Sequence, residues 1–360
     1  MPGSNTEVKD VLEQWLPCQQ LTRLDRDLAL LDDVSKAAGL AGEVRRLSSA
    51  LAASSAGGTQ LTRIISCLND RLTAKVVALT ARHHRLPPVE WCWLALGSEG
   101  RQEQTFLTDQ DNGLIFNATS QQEADALREL FLPFAEAVNQ RLAECGFLLC
   151  PGKIMAGNPA WCLSLDEWRE KFIDWVRRPD PAALLNASIF FDLRPLYGTL
   201  ELGESLRTLL LSLTVDTPAF LHLMAANALH AEVPLNFRGE VALEEHGEVD
   251  LKKFGSRIFV DAARIFALAC GERSVNSAER LRRAGPAAGL LESEIAAVDA
   301  AFSHVLRLRL LQQAADAAGG KVVGYGLRPA SLHEMDRAIL RESLKLARRL
   351  QQRLKLNYAL

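Results

Sequence analysis

Residues 91–116 read WCWLALGSEGRQEQTFLTDQDNGLIF, and this one stretch constrains most of what the chain can become. An apolar run from Trp91 to Leu96 stops at Gly97-Ser98, and a short polar segment follows. Asp109 and Asp111, one residue apart, then lead into a second apolar run, Leu114-Ile115-Phe116. The pattern predicts strand, glycine turn, short helix, strand. Side chains on a strand alternate faces with a period of two, so Asp109 and Asp111 point the same way. Two carboxylates side by side repel unless a cation lies between them. Magnesium suits them, because it takes hard oxygen ligands and keeps positions open for substrate phosphates.

The turn carries the complementary chemistry. Glycine at 97 and 100 lets the backbone approach closely. A helix opening at Gly97-Ser98 presents N–H groups and the positive end of its dipole to a phosphate. Ser98 can donate its hydroxyl to a terminal phosphate, and Arg101 can pair with phosphate oxygens. A glycine–serine turn, or a pair of aspartates, is common in solvated loops and strand ends. The specificity comes from their order and from the strands on both sides. Phosphates gripped at one end and a metal held at the other suit phosphoryl or nucleotidyl transfer.

GSEGR followed by TDQDN resembles the signature of the DNA polymerase beta-type nucleotidyltransferase superfamily. It is most similar to a bacterial signal-transduction branch, the domain of unknown function 294 family with its C-terminal domain, a relative of PII-protein uridylyltransferase. Later blocks extend the resemblance over residues 57 to 355: CPGKIMAGNPAW at 150–161, SLDEWREKFIDW at 164–175, IFFDLRPLYG at 189–198, VDLKKFGSRIFVDAARIFAL at 249–268 and LRPASLHEMDRAILRESLKLARRLQ at 327–351. The resemblance implies an α/β nucleotidyltransferase domain, a mixed sheet with flanking helices, over 57–185. An all-α helical domain over 186–360 follows, and a short helical segment over 1–56 precedes. It implies transfer of a nucleoside monophosphate from a nucleoside triphosphate to an acceptor hydroxyl, with magnesium, or manganese in its place. The acceptor expected from the uridylyltransferase relatives is a regulatory protein. A small molecule is the alternative, as in the antibiotic nucleotidyltransferases of the superfamily.

By the same resemblance Asp109 and Asp111 are the catalytic and metal-holding pair. Gly97, Ser98, Arg101, Lys153, Asp250 and Lys252 are expected around the nucleotide phosphates. The superfamily places a third carboxylate on a third strand, expected here at Phe147–Cys150, yet no Asp or Glu occurs between Glu144 and Asp166. Asp166, Asp192 or Asp250 would have to reach in, or the site works with two. That departure keeps two other classes in view: a nucleotide-binding regulator without catalysis, and a helical protein-interaction module.

The rest of the chain is read from pattern. Leu21, Leu24, Leu28, Leu31 and Val34 recur near helical spacing, as do Val44, Leu47 and Leu51; such stripes normally face a core, so a brace is expected before a docking surface. Residues 52–58 read as a small-residue linker, and a helix is expected over 69–84. Ser120 is expected to cap a helix to Glu144, with Glu123 completing a capping box and Gly146 ending it. Helices are expected over 219–229, 258–269, 295–311 and 332–350. Asp192 with Arg194, and Asp261 with Arg264, are expected either as structural ion pairs or at the nucleotide.

Net charge is −3, which gives no global electrostatic case for nucleic acid or a membrane surface. The basic run of the last helix, from Arg341 to Lys355, is expected to be a solvated face. No apolar run reaches membrane-spanning length. Seven cysteines, odd in number and without CxxC spacing, predict reduced thiols and a cytoplasmic protein. The histidines lack ligand spacing, so zinc is not expected. No sequence feature bears on oligomeric state.

Overall fold

The computed structural model describes residues 19–52, 56–243, 247–320 and 323–360. Residues 1–18, with Cys18, residues 53–55 of the expected linker, and His246 lie outside the described residues. By compactness the described residues form two units. The first holds 19–52, 61–168 and 193–206; the second holds 56–60, 169–192 and 207–360.

The described residues open with α1 (Gln19–Ala29), a 3-10 turn (Val34–Lys36) and α2 (Ala37–Ala52). Leu21, Leu24, Leu28, Val44 and Leu47 are buried in the same apolar cluster as Leu114 and Phe116 of the sheet. The N-terminal helices therefore brace the first unit's core. Helix α3 (Gly58–Ala81) starts earlier than the expected Asn69, because Leu61, Ile64, Ile65 and Leu68 already continue its buried stripe.

Strand β1 (Trp91–Ala95) leads into the four-residue α4 (Gly97–Gly100), and β2 (Asn112–Phe116) follows. Next comes α5 (Gln121–Glu144), capped as expected: the Ser120 hydroxyl accepts from Glu123 N. The reciprocal carboxylate bond goes to Thr119 N rather than to Ser120 N. Gly146, at φ +92°, closes the helix. Strand β3 (Cys162–Ser164), α6 (Leu165–Arg177), α7 (Pro181–Phe190), β4 (Arg194–Gly198) and α8 (Leu200–Val215) complete this stretch.

The sheet runs β3-β2-β1-β4, with β2–β3 parallel and the other pairs antiparallel. It is the mixed sheet the sequence leads one to expect, with two corrections. Its edge strand β4 comes from the 186–360 stretch expected to be all-helical, because it pairs with β1. Residues 147–150 make a single bridge, Asp109 to Leu148, and not a strand. Leu148 and Leu149 are exposed, and Pro151, which has no N–H, turns the chain away after Cys150. The third strand lies instead at Cys162–Ser164. Helix α5 covers one face of the sheet: Phe131 stacks on Phe116 and Phe134 meets Trp91 edge-on, with centroids 5.2 and 5.3 Å apart.

The second unit is mostly helical. Helices α9 (Pro218–Ala228), α10 (Arg257–Ala269), α12 (Glu292–Ala318) and α13 (Glu334–Tyr358) fall where the apolar spacing predicts, α11 (Ser277–Ala284) is a further helix outside the expected spans, and β5 (Val249–Asp250) and β6 (Gly326–Leu327) form a short pair. Helix α10 is its axis, buried at every residue from Ile258 to Leu268. Helix α13 buries Leu340, Leu344, Ala347 and Leu350; of the basic run, Arg349 and Lys355 are exposed, while Arg341, Lys345, Arg348 and Arg353 are half-buried and Arg348 donates to Leu235 O, so the expected solvated face is only partly solvated. Among the described residues no single helix is long and apolar enough to cross a membrane.

Candidate active site

Register brings the glycine turn to the aspartates. In the antiparallel β1–β2 pair Ala95 faces Asn112, and Leu96 N donates to Asp111 O at 2.9 Å. The residue after Leu96 must then turn beside Asp111. Gly97 does so at φ +52°, and a Cβ there would stand 2.5 Å from Asp111 Oδ2. Only glycine satisfies both the left-handed backbone and that contact. Within the turn Gly97, Glu99 and Gly100 are buried, and Ser98 keeps access to solvent.

The segment Asp109-Gln110-Asp111-Asn112 alternates as a strand should. Both aspartates are partly exposed, and both amides are buried. Gln110 donates to the carbonyls of Asn139 and Phe147 at 3.0 and 3.1 Å. Asn139 of α5 donates to Gln110 Oε1 and Asn112 Oδ1, and Asn112 Oδ1 also accepts from Ala156 N at 2.8 Å. A buried, interlocked amide network therefore fixes the inward side chains, which holds the two aspartates on the opposite face. Cys150 lies against Asp111; burial and that carboxylate, which is hydrogen-bonded to the thiol, push the thiol up to about 11.

Behind the turn is a second carboxyl cluster that the sequence motif does not reveal. Arg194 Nη2 donates to both oxygens of Asp70 at 2.8 Å and to Glu99 O at 3.0 Å. Its Nε donates to Gly100 O at 3.2 Å. Glu99 is 5% exposed and its Oε1 has no hydrogen-bond partner. Burial, then the nearby Asp70 and Asp111 carboxylates, push Glu99 up to about 8, with Arg194 only partly offsetting them.

The other expected site residues have local roles. Arg101 pairs with the buried Glu103 at 2.7 Å. Lys153 sits in a left-handed turn at φ +54°, with its carbonyl accepting from Asn158 Nδ2. Asp250 and Lys252 belong to the second unit. There Asp250 Oδ1 accepts from Lys252 N and Lys253 N at the start of a π-helical turn (Lys252–Ser256). Lys252 Nζ donates to the Tyr325 hydroxyl at 2.9 Å.

Asp192 and Arg194 are not an ion pair. Asp192, fully buried, is held by Arg264 (2.6 Å) and Arg280 (2.5 Å), while Arg194 serves Asp70. Asp192 lies in the turn that precedes β4 and Arg194 is the strand's first residue, so the period of two that would put both on one side does not reach Asp192. The expected Asp261–Arg264 pair is present at 2.7 Å. Asp166 is exposed on the first turn of α6. Among the described residues no cluster of three or more His, Cys, Asp or Glu is arranged to hold a metal.

Two family matches cover the chain. Residues 42–182 match the family described as "Putative nucleotidyltransferase DUF294", and residues 218–358 match the one described as "Putative nucleotidyltransferase substrate binding domain". Comparison with curated proteins yields no match. The first match spans β1, the glycine turn, the aspartate segment and β3, and the second spans α9 to α13. With most of its length matched in this order, the chain belongs to the domain of unknown function 294 family of nucleotidyltransferases.

Proposed function

We propose that the protein transfers a nucleoside monophosphate from a nucleoside triphosphate to an acceptor hydroxyl, with magnesium or manganese, as a cytoplasmic enzyme of signal transduction. The observation that carries this is the seating of Asp111 directly on Gly97, which joins a phosphate-binding turn to a carboxylate pair. The donor set fits such an ion: two partly exposed carboxylates on one strand face, beside a cradle that any side chain at 97 would fill. When bound, the ion would neutralise the triphosphate and stabilise in-line attack at the α-phosphorus.

The chain's own residues divide the remaining work. Asp109 and Asp111 hold the metal side. Gly97 and Ser98 take the β- and γ-phosphates with backbone N–H groups and the Ser98 hydroxyl. Arg101 reaches a phosphate by sharing or leaving Glu103, and Lys153 adds charge from the 150–157 loop. We assign residues 57–185, joined by β4 in the sheet, to the nucleotidyl-transfer domain and the remainder of 186–360 to the helical domain that meets the substrate. There Asp250 shapes the π-helical turn that carries Lys252. A regulatory protein is the acceptor class by likeness to the uridylyltransferases.

Calorimetric titration of ATP, UTP, GTP and CTP, with and without magnesium, into wild type and Asp109→Asn tests the reading. Metal-dependent binding of one nucleotide, weakened at least about 100-fold in the variant (~2.7 kcal/mol), is expected. Equal binding by the folded variant would sink the site assignment. The two-carboxylate donor set favours one rival, a nucleotide-binding regulator without catalysis. Metal-dependent binding with no pyrophosphate release, across candidate protein and small-molecule acceptors, would select it.

A further inference from the structure

Helix α3 buries polar side chains where a helix of its length would ordinarily bury apolar ones. Ser66, Asn69 and Asp70 lie at helical spacing and are all buried. Each is used on the segment that follows the glycine turn. Ser66 Oγ accepts from Gln104 N at 2.9 Å, and Asn69 Nδ2 donates to Gln104 Oε1 at 3.1 Å. Asp70 accepts from Gln102 Nε2 at 3.4 Å and receives Nη2 of Arg194 on both its oxygens. Arg194 in turn stands opposite Ala95, at the end of β1 that feeds the turn, and donates to the carbonyls of Glu99 and Gly100.

Those two carbonyls close the C-terminal end of α4, the negative end of its dipole. A guanidinium there joins Gln102 N, which donates to Glu99 O at 3.1 Å, and adds a donor for Gly100 O at 3.2 Å. It also fixes the rotation of the turn, and hence the direction of Ser98 and the leading N–H groups at the other end. We propose that Arg194, anchored by Asp70, is a positioning residue that aims the glycine–serine turn at the donor's phosphates. It touches neither the phosphates nor the reacting atoms. The proposal rests on reading Gly97–Arg101 as the phosphate-binding turn. Only a forked donor serves a carboxylate and two carbonyls together; a lysine keeps the charge and loses the fork.

The test uses the full chain and two readouts, one independent of nucleotide. In Arg194→Lys, amide hydrogen exchange of the peptide covering 97–105 is expected to quicken at least tenfold, with the β1 and β2 strand peptides unchanged. Magnesium-dependent affinity for the bound nucleotide is expected to fall at least tenfold. In a cycle with Ser98→Ala, the lysine substitution is expected to weaken binding by less than threefold once Ser98 is gone. Unchanged exchange at 97–105, or effects that multiply independently in the cycle, would overturn the proposal, because a merely structural arginine gives additive losses. If exchange rises throughout the unit, Arg194→Lys has lost the fold, and Asp70→Asn is judged by the same criteria. Local quickening in a protein whose wild type binds no nucleotide would overturn the phosphate-binding reading, and the aiming role with it, while leaving the brace as geometry.

Discussion

Asp192 and Glu99 are both buried carboxyls, and they meet opposite surroundings. Asp192 in the second unit is held by the guanidinium groups of Arg264 and Arg280, and Arg264 also binds Asp261. Burial would lower the Arg264 pKa, yet the two carboxylates hold it above its ordinary value. Charge and hydrogen bonds there are matched, as in an ion network that fixes a fold. Glu99 in the first unit has one carboxyl oxygen without a partner, while the guanidinium of Arg194 goes to both oxygens of Asp70 and reaches Glu99 at its backbone carbonyl. Its carboxyl is pushed up to about 8. Buried charge that is matched marks structure. Buried charge left mismatched beside a half-open pair of aspartates marks a site that awaits something from outside.

The matched cluster is the place for the largest loss of stability. Asp192→Asn leaves Arg264 and Arg280 buried without their shared carboxylate and is expected to destabilise the protein by about 3–5 kcal/mol. Urea unfolding measures this, and a loss below about 1 kcal/mol would break the comparison from the structural side.

Gly97→Ala addresses the other side. A β-carbon at φ +52° against Asp111 is expected to cost about 1–3 kcal/mol in strain. More tellingly, it is expected to abolish metal-dependent nucleotide binding by displacing Asp111. Retained affinity in a folded Gly97→Ala chain would show that the turn and the aspartates work apart.

The smallest expected effect is the sharpest. Glu99 has a folded-state pKa raised above its unfolded value, so in the native state its neutral form is favoured. Its contribution to stability is fully present below the ordinary carboxylate range and is lost as pH rises toward and through about 8. Glu99→Gln, which keeps the shape and removes the titration, is expected to flatten that decline between pH 5 and pH 9. Thermal melting across that range checks it. An identical decline in the variant would return Glu99 to the class of matched carboxyls.

Part of the site was open to pattern and part was closed to it. The alternation in Asp109-Gln110-Asp111-Asn112 is local, and a period of two placed the aspartates on one side; the same rule would have shown that Gln110 and Asn112 face inward together. Glu99 lies inside the recognised motif, but nothing in its neighbours announces an orphan oxygen. The Asp70–Arg194 contact joins residues 124 apart. No spacing rule reaches that far, and the nearer partner suggested by sequence, Asp192, belongs to a different cluster. Phe147–Cys150 carries the apolar residues of a strand, yet Pro151 and exposure limit it to one bridge.

Local sequence dictates the elements and the chemistry they carry: an apolar run that must become a buried strand, a glycine that must turn, two carboxylates that must share a face, and helices with one apolar stripe. These follow from backbone sterics and periodicity, which act over a few residues. Tertiary structure alone decided which charges meet. It gave Arg194 to Asp70 and to the turn's carbonyls, gave Asp192 to Arg264 and Arg280, and left Glu99 mismatched. Pairing between distant residues depends on the strand register and helix packing that bring them together, and its strength depends on how completely they are removed from water.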